Sequence, residues 1–152
     1  MERPAEQPMV SYAILMATWG LSFGGFLAAW SRRRGLPDSL SAGDLLLVGM
    51  ATHKLSRTIT RDRVTAPVRA PFTAVTGPGP HGEVTEKARG RGLRRAIGDL
   101  LTCPYCTGPW VAGGLVCGMV AAPRTTRLLA SVFTAVAISD FLHLAYQATS
   151  KR

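Results

Sequence analysis

The stretch DLLTCPYCTGPWVAGGLVCGMVAAPR, Asp99 to Arg124, decides the reading of this chain: the 24 residues between its terminal charges carry no charge at all. As a helix rising ~1.5 Å per residue, that run covers about 36 Å, against a bilayer hydrocarbon core of about 30 Å. A similar uncharged run extends from Gln7 to Ser31, and a third hydrophobic segment covers Leu128 to Thr149. The expected fold class is therefore all-α, a single integral membrane domain. Three transmembrane helices are expected at about residues 10–30, 108–122 and 128–146.

The 47% hydrophobic content is ordinary for a soluble protein. The distribution is not ordinary, because charge is crowded into the segments between the apolar runs. The net charge of +9 arises from 15 Arg and 3 Lys, and the arginines flank the spans. That placement points to anionic lipid headgroups as partner rather than to nucleic acid. The first run is read as an uncleaved span and not as a signal peptide. Glu2 and Glu6 outnumber Arg3 ahead of it, and Arg32-Arg33-Arg34 closes it in the manner of a stop-transfer anchor. Three cysteines do not make a disulfide framework of the secreted kind.

Within the first span, Gly20 and Gly24 stand four apart and would let another helix approach. Trp30 suits an interfacial anchor beside the arginines, and Trp19 a packing role. Ser41 to Asp44 carries helix-start signals for a helix over 44–60. It places His53, Arg57 and Arg61 on one face and Val48, Thr52, Leu55 and Ile59 on another. This amphipathic helix is expected to insert only partly; crossing outright, as a fourth span, is the alternative. Residues 61–99 form a basic polar loop, where Pro67 and Pro71 favour an extended path and Gly77 to Gly82 forms a tip. An amphipathic helix follows, with Leu93, Ile97, Leu100 and Leu101 opposite Arg94, Arg95 and Asp99. The last two spans are joined by Pro123 to Arg127, short enough for a helical hairpin with Gly114 and Gly118 at its seam.

Orientation follows from the Lys and Arg flanks. With three spans and the N-terminus outside, every basic residue except Arg3, Arg124 and Arg127 is cytoplasmic. With four spans and the N-terminus inside, Arg32 to Arg34 move to the outer face. Both arrangements leave the 61–99 loop and the C-terminus cytoplasmic, in a bacterial inner membrane.

Two groups of residues could carry chemistry. Cys103-Pro104-Tyr105-Cys106 has the spacing that lets two thiols meet at a helix start, where the helix N-terminus lowers a thiol pKa. The glutaredoxin tetrad is identical, but it needs a βαβ context, and here a membrane span follows. The pair reads as structural, as a redox pair, or as half of a zinc site that His53, His81 or a second copy would complete. Asp140 is an acid within the last span, where insertion costs on the order of 2.5–3.5 kcal/mol. It is expected to be buried against protein, with His143 one turn away and the stripe His53, Lys54 and Arg57 as partners. Replacement by Asn should then be milder than by Leu. The intramembrane cluster reads as a docking contact or as an anion or proton path. Cys117 is a small buried apolar residue.

Four blocks, in order, carry a resemblance. They are Asp44-Leu-Leu-Leu-Val-Gly-Met-Ala-Thr-His-Lys-Leu-Ser-Arg57, Arg61-Asp-Arg-Val-Thr-Ala-Pro-Val-Arg-Ala-Pro-Phe72, Leu100-Leu-Thr-Cys-Pro-Tyr-Cys-Thr-Gly-Pro-Trp110 and Ser139-Asp-Phe-Leu-His143. Over about Ala42 to Ala148 the chain resembles the bacterial membrane family called domain of unknown function 1360. The resemblance implies a membrane protein, with sporulation proteins among its members, and implies no activity, cofactor or catalytic residue. The expected function is a non-catalytic membrane accessory, with a thiol–disulfide oxidoreductase or a small transporter as alternatives. A homo-oligomer or a membrane-protein partner stays open.

Overall fold

A computed structural model describes residues 8–150, so the reading of the segment before Pro8 lies outside the described residues. Helix α1 spans Met9–Arg34 and ends where Gly35, at φ +73°, turns the chain and donates its N–H to Ser31 O. Helix α2 spans Ala42–Arg61 and starts at the expected cap, with Ser41 Oγ accepting the Asp44 N–H at 3.1 Å. Helices α3 (Ala66–Arg69) and α4 (Gly92–Thr102) flank a β-hairpin of β1 (Thr73–Pro78) and β2 (Val84–Ala88). Helices α5 (Pro104–Ala121) and α6 (Pro123–Ser150) complete the chain.

The long helices run between the same two ends. Asp44 at the start of α2 meets Arg127 at the start of α6, and Lys54 further along α2 meets Asp140 further along α6. These two helices are therefore parallel. Helix α5 runs against both, since α5 and α6 are joined by a single turn at Ala122. Helix α1 follows α5: Tyr12 reaches Asp99 just before α5, Trp19 donates to Pro109 O at 3.2 Å, and Trp30 shares a cavity wall with Met119 to Ala121. The core lies between α2, α5 and α6, where Val48, Ala51, Leu115, Met119 and Ala130 are buried. Helix α2 thus lies in the middle of the bundle along its length. Its Val48–Ala51–Leu55 face is covered on two sides, and Lys54 and Arg57 are paired at its far end.

Outside that core the usual polarity is inverted. Leu21 (76% exposed), Met16, Leu128 and Leu142 project outward, while Ser11, Ser56, Thr60, Thr107 and Thr126 are buried. The hydroxyls are satisfied locally, as when Thr60 and Ser56 donate to carbonyls one turn back. Such continuous apolar exposure marks a surface for contact with a membrane or with another protein. Helices α1 and α6 are long and apolar enough to cross a membrane. Helix α5 has 18 residues and begins with the less apolar Pro104-Tyr105-Cys106-Thr107-Gly108-Pro109, so the run that opened the sequence reading contributes a shorter apolar helix than its uncharged length implied.

The polar region is a folded lobe, and it corrects the all-α expectation. Thr73 pairs with Ala88, Val75 with Glu86 and Pro78 with Val84, with an irregularity between Val75 and Gly77. The strands follow from β-branched residues in Thr73-Ala74-Val75-Thr76 and Val84-Thr85, on either side of the glycine–proline tip. At that tip His81 (φ +53°) and Gly82 (φ +81°) reverse the chain. The extended path expected around Pro67 is also corrected. Residues Arg63–Thr65 form a 3₁₀ turn, and Pro67 stands in the first turn of α3, where a missing N–H costs nothing.

The glycines at the seams differ partly from expectation. Gly118 does meet α6, where a Cβ would fall 2.7 Å from Thr126 Oγ1. Gly114 faces open space, and its neighbour Gly113 instead receives Trp19 of α1. Gly20 and Gly24 have nothing within 4 Å of where a Cβ would stand.

Candidate functional site

Pro104 shapes the thiol site. The residue before a proline is pushed out of the helical region, and Cys103 (φ −117°, ψ 106°) accordingly breaks the chain between α4 and α5. Cys103 O then accepts the N–H groups of Cys106 and Thr107, and Thr107 Oγ1 donates back to Leu100 O at 2.7 Å. This arrangement brings Cys103 and Cys106 to disulfide distance, with Cα atoms 5.2 Å apart. Cys103 Sγ also accepts the Cys106 N–H at 3.2 Å, so the first sulfur acts as the cap of α5. Cys117 is half-buried further along α5. Among the described residues, no group of three or more His, Cys, Asp or Glu side chains converges, and neither His53 nor His81 joins the thiols.

Beside the pair lies a cavity of about 620 Å³ between α1, α4 and α5. Trp19 and Trp110 contribute indole rings to its wall, Leu15 and Met16 aliphatic surface, and Cys106 a sulfur. Its polar corner is the pair in which Tyr12 Oη donates to Asp99 Oδ2 at 2.8 Å. That hydrogen bond to a carboxylate, with the Asp99 charge beside it, holds the phenol pair in one orientation.

The second group is split by the fold. Lys54 Nζ donates to Asp140 Oδ2 at 2.7 Å. Arg57 points instead to Glu83 of the lobe, and the His53 ring stacks on Phe141 at 5.8 Å between centroids. His143 lies exposed on α6, one turn beyond Asp140. The Asp140 side chain is 50% exposed on the flank of the bundle rather than buried inside it. The pair links α2 to α6. Truncating one partner leaves the other charge unpaired, whereas removing both does not. Asp140→Leu and Lys54→Met should each lower the detergent-denaturation midpoint more than the double variant does. Asp140→Asn should fall between wild type and Asp140→Leu. Additive single and double effects would refute the coupling.

The rim at the opposite end carries a second ion pair. Arg127 holds Asp44 with two hydrogen bonds, at 2.8 and 2.9 Å. Asp44 sits in the capping turn, ahead of the apolar part of α2. Its carboxylate also accepts the Ser41 hydroxyl at 2.9 Å. Next to it, Arg34 lies over the Trp30 ring at 5.3 Å.

Sequence reasoning missed the most buried charge in the lobe. Arg69 and Glu86 are 1% and 2% exposed, joined by Nε–Oε2 at 2.7 Å. Glu86 also accepts the Thr73 hydroxyl, and the Arg69 guanidinium donates to Ile59 O, Asp62 O and Thr65 Oγ1. The guanidinium thereby ties the end of α2 to both strands. The one available signal was Arg69 lying between Pro67 and Pro71 in an otherwise small, apolar stretch.

Among curated proteins, the chain is 31% identical to sporulation protein YjcA of Bacillus subtilis over 96 residues, 56% of this chain and 75% of that protein. No solved structure matches it. The family model described as protein of unknown function (DUF1360) covers residues 47–146, which takes in most of α2, the whole lobe, α5 and most of α6. That span holds the thiol pair, the Lys54–Asp140 contact and the Arg69–Glu86 network, and this chain belongs to the DUF1360 family.

Proposed function

We propose that this chain is a four-span protein of the bacterial cell membrane, with the lobe and both chain ends on the cytoplasmic side. In this reading its role is that of an assembly or developmental accessory. The carrying observation is that α1, α2, α5 and α6 all run between the same two ends of one bundle, so a bilayer that α1 and α6 cross also contains α2 and α5. The lengths agree: α2 at 20 residues and α5 at 18 cover about 30 and 27 Å. Helix α1 then starts at the lobe's end. This supports the four-span alternative over three spans with the N-terminus outside.

Charge supports this orientation. Five of the 18 basic residues, Arg32, Arg33, Arg34, Arg124 and Arg127, mark the end away from the lobe. The lobe's end has the larger share, as a cytoplasmic face should. The Lys54–Asp140 pair lies thirteen helical residues from Arg127 along α6, about 20 Å below the outer rim. It therefore sits in hydrocarbon but toward the cytoplasmic side. Anionic headgroups are the partners that the arginine rims fit. The developmental part of the proposal rests on the relative's name as a sporulation protein.

Impermeant thiol labelling tests the topology. Lys87, exposed on β2, is a better reporter than Ala88, which packs on Gly98. Lys87→Cys, with the three native cysteines replaced, should label only after the cells are permeabilised, whereas Ser39→Cys in the opposite linker should label in intact cells. Labelling of Lys87→Cys in intact cells would reject the orientation, and failure of Ser39→Cys in intact cells would reject the fourth span.

A further inference from the structure

We propose that the cavity between α1, α4 and α5 binds the head of an isoprenoid quinone and that Cys103 and Cys106 exchange electrons with it. The site is built from three independent features. Two sulfurs are at disulfide distance, and Cys106 stands on the cavity wall. Two indole rings, Trp19 and Trp110, supply the flat apolar surface on which a planar ring stacks. The Tyr12–Asp99 pair supplies a polar corner. The Asp99 carboxylate accepts the Tyr12 hydroxyl on Oδ2, which Arg95 Nε also faces at 3.8 Å, and its remaining lone pairs can accept a quinol O–H.

Size and access fit the same ligand. A volume of about 620 Å³ lies within the ~300–1,000 Å³ of small-molecule sites. The wall that α1 contributes is Leu15, Met16 and Gly20, and Met16 and Gly20 are exposed on the outside of the bundle. In the four-span arrangement, on which this step rests, the cavity therefore opens sideways into lipid at the level of α4, near the membrane surface. An isoprenoid tail can remain in the bilayer while the head enters.

The reaction balances without a further partner. Two S–H bonds break and one S–S bond forms between Cys103 and Cys106. The two electrons and two protons convert the quinone to its quinol. The reverse direction reduces the disulfide at the expense of a quinol. Cys103 caps α5, and the positive end of that helix stabilises its thiolate, so it is the sulfur that closes the bond onto Cys106.

The test uses the full chain in lipid nanodiscs, fully reduced and under anaerobic conditions, with decylubiquinone as the probe. Titration should quench tryptophan fluorescence saturably. Incubation should lower the thiol count measured after denaturation from three per chain to one, with one quinol formed. Cys106→Ser should keep the quenching and form no quinol. Gly20→Leu should weaken the quenching at least tenfold: the side chain projects from the cavity wall, a Cβ there meets nothing within 4 Å, and Leu is the better helix former. Quenching without thiol loss would overturn the redox assignment. Equal competition by a decyl chain lacking the ring would overturn the quinone in favour of an acyl-chain groove. An intact four-span topology with neither quenching nor thiol loss would overturn the inference while leaving the proposed function standing.

Discussion

Arg69→Leu is expected to unfold the lobe while leaving the helices in the membrane. The guanidinium is 1% exposed and makes four polar contacts: Glu86, Ile59 O, Asp62 O and Thr65 Oγ1. Removing it leaves the Glu86 carboxylate, at 2% exposure, with only the Thr73 hydroxyl, and takes a donor from Ile59 O at the α2 exit. Breaking a buried pair from one side costs roughly 3–5 kcal/mol. A lobe of some forty residues with few buried apolar side chains cannot absorb a loss of that size. Limited proteolysis of proteoliposomes is the direct measurement. Wild type should resist cleavage between Asp62 and Arg91, and Arg69→Leu should be cut there at least a hundredfold faster. Glu86→Gln keeps the hydrogen-bonding shape and should be cut at an intermediate rate. Joint replacement as Arg69→Met with Glu86→Leu should recover part of the resistance, because no charge is then left buried alone. Equal cleavage of wild type and Arg69→Leu would mean that the network does not hold the lobe together.

The sequence announced the helices and concealed the lobe, for a physical reason. Apolar runs without charge are long-range signals, and α1 and α6 stand where those runs predicted. The start of α2 was equally legible, because Ser41 and Asp44 are local capping chemistry. The direction of α2 was not, since Lys54, Arg57 and His53 look too polar for a central helix until their partners on its flank and in the lobe are known. Those partners, Asp140, Glu83 and Phe141, lie 26 to 88 positions away. The hairpin was hidden by its shortness and by its polar context: strands of six and five residues carry little periodicity. At the thiol pair, spacing and Pro104 were enough to anticipate a helix start with two adjacent sulfurs. The cavity beside it was not legible, because its wall combines residues 12–20 with 96–110.

Gly98→Ala offers a second large effect, one in which helix propensity and packing oppose each other. Gly98 lies inside α4, where alanine would gain about 1 kcal/mol in intrinsic helix stability. A Cβ at this position would stand 2.5 Å from Phe72 O and 2.8 Å from Ala88 Cβ. Neither neighbour can yield cheaply. Phe72 O accepts the Arg89 N–H at 2.9 Å, and Ala88 is paired with Thr73 in the hairpin register. The helix must therefore lift off the hairpin, and overpacking of this kind costs about 1–3 kcal/mol or more. The clash should win, so Gly98→Ala should lower the thermal midpoint of the purified protein, and Gly98→Val should lower it further. Adding Ala88→Gly removes one of the two obstacles and should restore only part of the loss, since the Phe72 carbonyl remains in place. A Gly98→Ala midpoint at or above wild type would show that α4 is free to move away from the hairpin. Because α4 also carries Asp99 and Leu100 into the cavity wall, loosening it should weaken decylubiquinone binding in the same preparation. That coupling ties the stability of the lobe to the membrane-facing site.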